Sequence, residues 1–130
     1  MKHMPDKNTI QKEDEYALNR FIKAQENVYQ NVLTELNQGK KTSHWMWFIF
    51  PQMKGFGKSE TSVYYSIKSM EEANAYLKHL LLGTRLLECC GILSKIKNKS
   101  AHDIFGFPDE RKLQSCMTLF QWFPMQTLYF

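Results

Sequence analysis

Apolar residues recur along most of the chain at steps of three and four, the period that gathers side chains on one face of an α-helix. The first such stretch runs from Leu18 to Leu36, in a region where we expect ordered structure to begin near Glu15. Gly39 follows it, and a glycine just past the last periodic position can take the left-handed conformation that caps a helix C-terminus. The pattern predicts one helix that ends at Gly39.

A capping signal predicts the next helix. Ser69 and Glu72 have the Ser-x-x-Glu spacing of a capping box, so a helix should start at Met70. Its predicted buried residues are Ala73, Tyr76 and Leu77. A second helix, with an apolar face from Leu82 to Leu93, should follow after a break or bend near Gly83, because glycine costs about 1 kcal/mol relative to alanine inside a helix.

The last part of the chain is also helical in pattern. Ser100 with Asp103 predicts a short capped turn that ends at Gly106, and Asp109 is expected to cap the final helix. The predicted buried stripe of that helix is Leu113, Cys116, Met117 and Phe120. Because no alternating strand pair is present, the sequence predicts an all-α fold, a compact multihelical single domain over residues 15–130 after a loosely ordered tail over residues 1–14.

An aromatic-rich segment over residues 42–52 departs from the helical period. Trp47 to Phe50 suit a short strand, and equally a helical turn that begins at Thr42 or Ser43; Pro51 ends either one. Its Trp, His and Gln side chains need hydrogen-bond partners once they leave water. Such a mixture is typical of a ligand pocket, and also of a core element whose polar groups are satisfied internally.

His44 is the candidate general acid or base, because imidazole titrates near neutral pH. A hydrogen-bonded structural histidine is the alternative. Neighbouring residues on a chain generally point apart, so Ser43 and His44 do not form a catalytic dyad by themselves. We therefore regard Ser43 as a candidate ligand-binding residue rather than a nucleophile, with helix capping as its simpler explanation. Lys41 is a candidate partner for a phosphate or carboxylate.

Further candidates for ligand binding are aromatic or amide side chains. Trp45 and Trp47 are suited to stack on a planar ring, although both also suit the core. Gln52 can read an amide or base edge through its donor and acceptor. Tyr64 is expected to face the pocket if Tyr65 turns inward.

The loop after this segment contributes Gly55, Gly57, Lys58 and Ser59 to the candidate site. It resembles a phosphate-binding loop, but that motif requires a glycine five positions before Gly57, where this chain has Gln52. A Walker nucleotide-binding site is therefore excluded. A mobile lid or an anion nest built on the two glycines stays open.

Neither the net charge nor the apolar runs indicate a nucleic-acid-binding or membrane-spanning protein. Seventeen Lys and Arg against thirteen Asp and Glu give a net charge of +4, too mild for a nucleic-acid signal without a clustered basic face. Four lysines but one acid lie between Lys40 and Glu60, which favours an anionic ligand. No apolar run approaches the roughly 18 to 20 residues of a membrane span.

Three cysteines, Cys89, Cys90 and Cys116, have neither metal-binding nor redox spacing, and no secretory leader precedes them. His79 and His102 also lack companions at metal-ligand spacing. We therefore expect no metal site, and free thiols in a reducing, cytoplasmic location. The sequence identifies no cofactor.

The segment from Ser43 to Gln52, followed by Gly55-x-Gly57-x-Ser59, resembles the hallmark block of the DUF1810 family, small bacterial and fungal proteins of unassigned function. Other matching pieces are Arg20-Phe21, Ala24-Gln25, Glu72-Ala73, Tyr76-Leu77, Arg85-Leu86, Ile104-Phe105-Gly106, Pro108-Asp109 and Lys112-Leu113. The resemblance covers about residues 17 to 120. It implies a compact multihelical domain, and its architecture is reminiscent of proteins that process ADP-ribose derivatives, a likeness at the level of the fold alone.

Some family members carry the label calpastatin, for which the residues here offer no physical support. Two departures from the family pattern stand out. This chain has Leu80 at a position where members usually have proline. Because leucine is compatible with a helix interior, we expect the helix to continue through position 80. Residues 121–130 depart from the pattern like a truncated or frame-shifted end, which predicts uncovered apolar surface and self-association.

Two functions are consistent with these residues. One is binding, with or without processing, of a small anionic aromatic ligand such as a nucleotide or ADP-ribose derivative. The alternative is a non-catalytic protein-interaction or structural module.

Overall fold

The structure is a computed structural model that describes residues 14–123 of the chain. Within this range it contains helices and loops and no strand; Met53 and Ile67 form an isolated parallel bridge. The helices are α1 (Asn19–Glu26), α2 (Tyr29–Gln38), α3 (Met46–Ile49), α4 (Glu60–Tyr64), α5 (Met70–Lys78), α6 (Leu80–Ser94), α7 (Ala101–Phe105) and α8 (Asp109–Phe120). The predicted all-α fold is confirmed.

The helices enclose one aromatic-rich core. The longest helix, α6, packs against α5, α2 and α1, while α8 packs against α3, α5 and α7. The largest fully buried aromatic side chains are Trp45, Tyr76, Phe21, Phe50 and Phe120. The edges of several rings meet neighbouring faces, as where Phe21 and Tyr76 lie 5.0 Å apart at 88°, an arrangement that adds to area burial. No helix of the described range has the length and apolar character to cross a membrane.

The single helix predicted before Gly39 is two helices. Asn27 ends α1 and Val28 precedes α2, with Val28 donating its N–H to the carbonyl of Gln25 at 3.1 Å. Asparagine and a β-branched residue are poor helix formers, and here both stand at the break. The predicted glycine cap is confirmed, because Gly39 has a φ of 72°.

The expected bend near Gly83 is wrong, as is the expectation that the helix runs on through Leu80. The chain instead breaks at His79, whose Nδ1 accepts hydrogen bonds from the N–H groups of Leu81 (3.1 Å) and Leu82 (3.3 Å) and so caps α6. Leu80 is 88% exposed at the first position of the helix. Gly83 lies in regular helix, and a Cβ there would be 2.0 Å from the carbonyl oxygen of Leu77. The glycine therefore permits close packing of α6 on α5.

Of the other three predicted helix caps, two are confirmed and one is wrong. Ser69 accepts from the N–H of Glu72, and Ser100 with Asp103 forms a complete capping box at α7, so both helix starts are confirmed. The predicted cap by Asp109 is wrong. Pro108 is the N-cap of α8, and Asp109 is the first helical residue, with its carboxylate turned to Lys41.

The predicted buried residues of α5 are confirmed; in α8, Cys116 and Phe120 are buried, whereas Leu113 and Met117 are partly buried. The predicted tail lies outside the described residues except for Asp14, as does the chain end beyond Phe123.

Candidate functional site

The first half of the aromatic-rich segment is held by one buried carboxylate. Glu35, on α2, accepts hydrogen bonds from the backbone N–H groups of Thr42 (2.8 Å) and Ser43 (3.0 Å). It also accepts from the Ser43 hydroxyl (2.6 Å) and the Trp45 indole N–H (3.0 Å). Burial by itself would raise the pKa of this carboxyl, but the hydrogen bonds, led by that from the Ser43 hydroxyl, outweigh it and lower the pKa to about 2. Glu35 is therefore a structural anion.

Lys41 extends the same internal network. Its Nζ lies 2.6 Å from Oδ2 of Asp109 and donates to the carbonyl of Ser43 at 2.6 Å. It also lies 5.0 Å from the centroid of the Trp45 ring. The side chain is only 6% exposed, so Lys41 ties the segment to α8 from the inside.

Trp47 belongs to a different environment, although only one residue separates it from Trp45. The single turn of α3 buries Met46 and Ile49 and leaves the Trp47 ring on the wall of a cavity of about 660 Å³. The indole Nε1 is shielded from solvent, and it is the one buried side-chain nitrogen or oxygen of residues 14–123 that has no hydrogen-bond partner. Leaving such a donor unpaired costs about 1 to 3 kcal/mol, so it calls for an acceptor.

Four segments line this cavity: α3 through Trp47, the chain after Pro51, the region around α4, and the loop before α8 with that helix as far as Thr118. The lining residues are Trp47, Gln52, Met53, Phe56, Gly57, Ser62, Tyr65, Ser66, Phe107, Pro108, Arg111, Lys112, Gln114, Ser115 and Thr118. Apolar and aromatic walls with a few amide, hydroxyl and cationic groups are the usual composition of a small-molecule site, and the volume lies in the usual range of about 300 to 1,000 Å³.

The two charged side chains of the cavity lining are positive. Arg111 and Lys112 line it, and its lining includes no carboxylate within the described chain. The Lys112 ammonium lies 4.8 Å from the Trp47 ring centroid. The Arg111 guanidinium lies 5.4 Å from the Phe107 ring centroid. Burial raises the pKa of Tyr65, so its hydroxyl is a neutral donor or acceptor. These groups suit an anion attached to a flat ring.

Arg20 holds one wall of the cavity. Its guanidinium donates to the carbonyls of Tyr64 (2.9 Å) and Ser66 (2.9 Å), and it pairs with Glu72 at 2.6 Å. Oε1 of Glu72 in turn accepts from the N–H of Lys68 at 2.9 Å. Because these partners surround residues 64–68, the Arg20 and Glu72 pair fixes the segment that carries Tyr65 and Ser66 into the lining.

A family model described as "Protein of unknown function (DUF1810)" matches residues 15–130. The chain belongs to the DUF1810 family. Among solved structures, it is similar to the conserved hypothetical protein Rv1873 from Mycobacterium tuberculosis, with 51% identity and a TM-score of 0.83. That match covers 84% of this chain and 78% of the mycobacterial one. No curated protein matches the chain.

The hallmark block of this DUF1810 chain is divided between two environments. Of the residues proposed from sequence, the cavity wall includes Trp47, Gln52 and Gly57. Lys41, Ser43 and Trp45 belong to the internal network around Glu35.

The remaining predicted residues lie outside the lining. His44, within the block, is exposed. Ser59 caps α4 by accepting from the N–H of Ser62. Gly55, Lys58 and Tyr64 are exposed. The suggested capping role of Ser43 is wrong, because Trp45 is the N-cap of α3 and the Ser43 hydroxyl donates to Glu35.

Several residues of the DUF1810 site were missed by sequence reasoning. Glu35 had an available signal, since it falls three residues after Val32 and one before Leu36 on an apolar helix face, where an acid needs partners. Arg111 and Lys112 follow Asp109 and Glu110 in the sequence, a run of charges that by itself indicates only the charged start of a helix. Their placement on the cavity follows from the packing of α8 beside α3, which no local pattern reveals.

Residues 14–123 contain no cluster of three His, Cys, Asp or Glu side chains that could hold a metal ion. The three cysteines are free thiols, and burial raises the pKa of Cys89 to about 12 and that of Cys90 to about 11. Both are therefore protonated and unreactive near neutral pH.

Proposed function

We propose that this DUF1810 protein binds a small molecule that carries an anionic group and a planar ring, in the cavity between α8 and the segment from Gln52 to Ser66. The observation that carries the proposal is Trp47, whose side chain lines that cavity and whose shielded indole N–H has no hydrogen-bond partner within residues 14–123. A ligand acceptor that reaches this donor through a small shift of the Trp47 ring would remove the cost of the unpaired group.

The contrast with the rest of the core supports this assignment. Gln25 is buried, and its amide donates to the Phe48 carbonyl (2.7 Å) and the Tyr76 hydroxyl (3.2 Å) while it accepts from Arg85 (3.1 Å). Glu35 is saturated in the same way. Since the other buried side-chain polar atoms of residues 14–123 have partners, the exception at Trp47 supports the proposal of a partner outside the chain.

The lining chemistry indicates the ligand class. Arg111 and Lys112 supply positive charge for a phosphate or similar anion, and the Trp47 ring and the exposed rings of Phe56 and Phe107 supply stacking surfaces. Gln52 adds an amide that can read a heterocycle edge. A nucleotide or an ADP-ribose derivative combines these features.

The free thiols of Cys89, Cys90 and Cys116 support a reducing cytoplasmic setting, where such ligands occur.

The competing proposal is a protein-interaction module. Its support is the exposure of Phe56 (67%) and Phe107 (68%), which would equally suit an apolar peptide. The exposure of Trp122, near the chain end, supports the related proposal of self-association.

Isothermal titration tests ligand binding directly. ADP-ribose and AMP should bind, whereas adenosine, which lacks the anion, and inorganic phosphate, which lacks the ring, should bind at least about tenfold more weakly. Lys112→Met should weaken AMP binding by a similar factor. Lys23→Met, which removes an exposed positive charge from α1 outside the cavity, and His44→Ala should leave it unchanged.

Three outcomes would reject the proposal. They are absence of heat with both nucleotides, equal affinity for adenosine and AMP, and equal loss of affinity in Lys112→Met and Lys23→Met. The first outcome together with capture of apolar peptides would favour the interaction module.

A further inference from the structure

Asp109 is shared by two lysines at unequal distances. Its Oδ2 lies 2.6 Å from Nζ of Lys41, and its Oδ1 lies 3.6 Å from Nζ of Lys112. The first distance is that of a strong charge-assisted hydrogen bond, and the second is too long for a hydrogen bond. One carboxylate therefore faces the internal network with one oxygen and the cavity cation with the other.

The two lysines differ in freedom. The Lys41 side chain is 6% exposed and is held by the Ser43 carbonyl as well as by Asp109. The Lys112 side chain is 22% exposed, lines the cavity, and has the Trp47 ring as its other close neighbour. Lys41 is thus a fixed partner of Asp109, whereas Lys112 can exchange it for another anion.

We infer that Lys112 is the residue that receives the anionic group of the ligand, and that the Asp109 carboxylate is the anion which that group replaces. The inference rests on the proposed function, since it concerns the same cavity. Asp109 stays paired with Lys41 after the exchange, so no buried charge is left alone. Asp109 is a positioning residue that lowers the affinity of the cavity for anions by competing for Lys112.

This assignment predicts the direction in which anion affinity changes when the Asp109 carboxylate is removed. A carboxylate that merely supports the site would weaken anion binding when it is removed. A competing carboxylate would instead strengthen anion binding when it is removed, because the Lys112 charge is freed and a repulsive charge near the ligand is lost. The fold itself should become less stable, because Lys41 loses its partner.

Protection from reductive methylation tests the inference, because an anion held by Lys112 keeps its amine from reacting. The lysine amine adds to formaldehyde, water leaves, and borohydride then delivers hydride to the imine carbon, which leaves a methylated amine that mass spectrometry locates. The protecting probe is 4-deoxypyridoxine 5′-phosphate, which carries a flat ring and a phosphate but no aldehyde. 4-Deoxypyridoxine, which lacks the phosphate, is the matched control probe. Exposed Lys23 is the internal control site.

The expected result has two parts. In the wild type, the phosphate-bearing probe protects Lys112 from methylation but not Lys23, and 4-deoxypyridoxine protects neither. In Asp109→Asn, the concentration of the phosphate-bearing probe that gives half-protection of Lys112 falls about fivefold, whereas that of 4-deoxypyridoxine changes less. The double variant Lys41→Met, Asp109→Asn removes both charges of the buried pair and should show the same fall if the single variant folds poorly.

Two results would overturn the inference: unchanged or weaker protection of Lys112 by the phosphate-bearing probe in both variants, or an equal gain in protection by 4-deoxypyridoxine. Failure of the proposed function is distinguishable, because neither probe is a nucleotide. Absence of AMP and ADP-ribose binding rejects that ligand class, whereas the ratio of protection by the two probes decides the exchange at Lys112.

Discussion

The indole N–H of Trp45 donates to Oε1 of Glu35 across 3.0 Å, at a site closed to solvent. Trp47, two residues later, has an equally shielded indole N–H but no acceptor within the described chain. The two rings thus have different roles: the first completes the core, and the second forms the wall of the cavity. The same division separates Lys41, in the internal network, from Lys112, on the cavity.

The Glu35 network predicts that the free energy of unfolding depends on pH. Its pKa is about 2 in the folded protein against 4.5 for an ordinary glutamate, so the unfolded chain binds a proton first as the pH falls. The stabilisation is complete above pH 4.5 and is lost as the pH drops toward 2, by up to about 3 kcal/mol. Urea unfolding between pH 6 and pH 2.5 measures it. Glu35→Gln should have lower stability at pH 6 and a shallower slope; an unchanged slope would contradict the account.

Neighbouring substitutions separate the network from the exposed face of the hallmark block. Ser43→Ala removes the shortest hydrogen bond to Glu35 and should cost about 1 to 2 kcal/mol of unfolding free energy. It should also move the acid-induced loss of stability to higher pH. His44→Ala changes an exposed side chain and should stay within about 0.5 kcal/mol of the wild type. Equal effects of the two variants in urea unfolding would show that Ser43 is not part of the network.

Two glycines of α6 should respond to the same substitution with opposite signs. A Cβ at Gly83 would meet the Leu77 carbonyl oxygen at 2.0 Å, whereas one at Gly91 would meet no atom within 4 Å. Gly83→Ala should therefore force α5 and α6 apart and cost at least about 2 kcal/mol. Gly91→Ala should stabilise the helix by about 0.5 to 1 kcal/mol. Thermal unfolding of both variants measures the difference, and a Gly83→Ala variant as stable as the wild type would refute the close contact.

The buried pair of Arg20 and Glu72 should be essential to the cavity wall. Arg20→Met leaves the Glu72 carboxylate, only 3% exposed, without its counter-charge, which costs about 3 to 5 kcal/mol. It also releases the carbonyls of Tyr64 and Ser66. Hydrogen exchange of residues 64–68 should become faster in this variant, but not in the matched control Lys23→Met. Unchanged exchange in Arg20→Met would show that another contact holds this segment.

Much of the fold was predictable because its signals are local. The starts of α5 and α7 follow from Ser69 and Ser100, whose hydroxyls accept from N–H groups within the same turn. Gly39 marks the end of α2 for the same reason. The break at His79 was not predictable by such rules, since it depends on an imidazole acting as a cap.

The candidate site was less accessible to sequence reasoning. The aromatic-rich segment gave Trp47 and Gln52 as candidates, but α3 has only four residues, too few for a periodicity that would show whether Trp45 or Trp47 points inward. Lys112 lies 65 positions after Trp47 in the sequence, so its approach to that ring depends on tertiary packing. For the same reason the partner of Lys41 was sought in a ligand, whereas it is Asp109.

The most direct test of ligand binding is the indole region of a ¹H–¹⁵N correlation spectrum during titration with ADP-ribose and AMP. Trp47→Phe and Trp45→Phe assign the two resonances. The account predicts that the Trp47 N–H signal shifts with saturation as it gains an acceptor, while the Trp45 signal, already bound to Glu35, stays in place. A Trp47 signal that does not move at millimolar ligand, or equal shifts of both signals, would contradict the account.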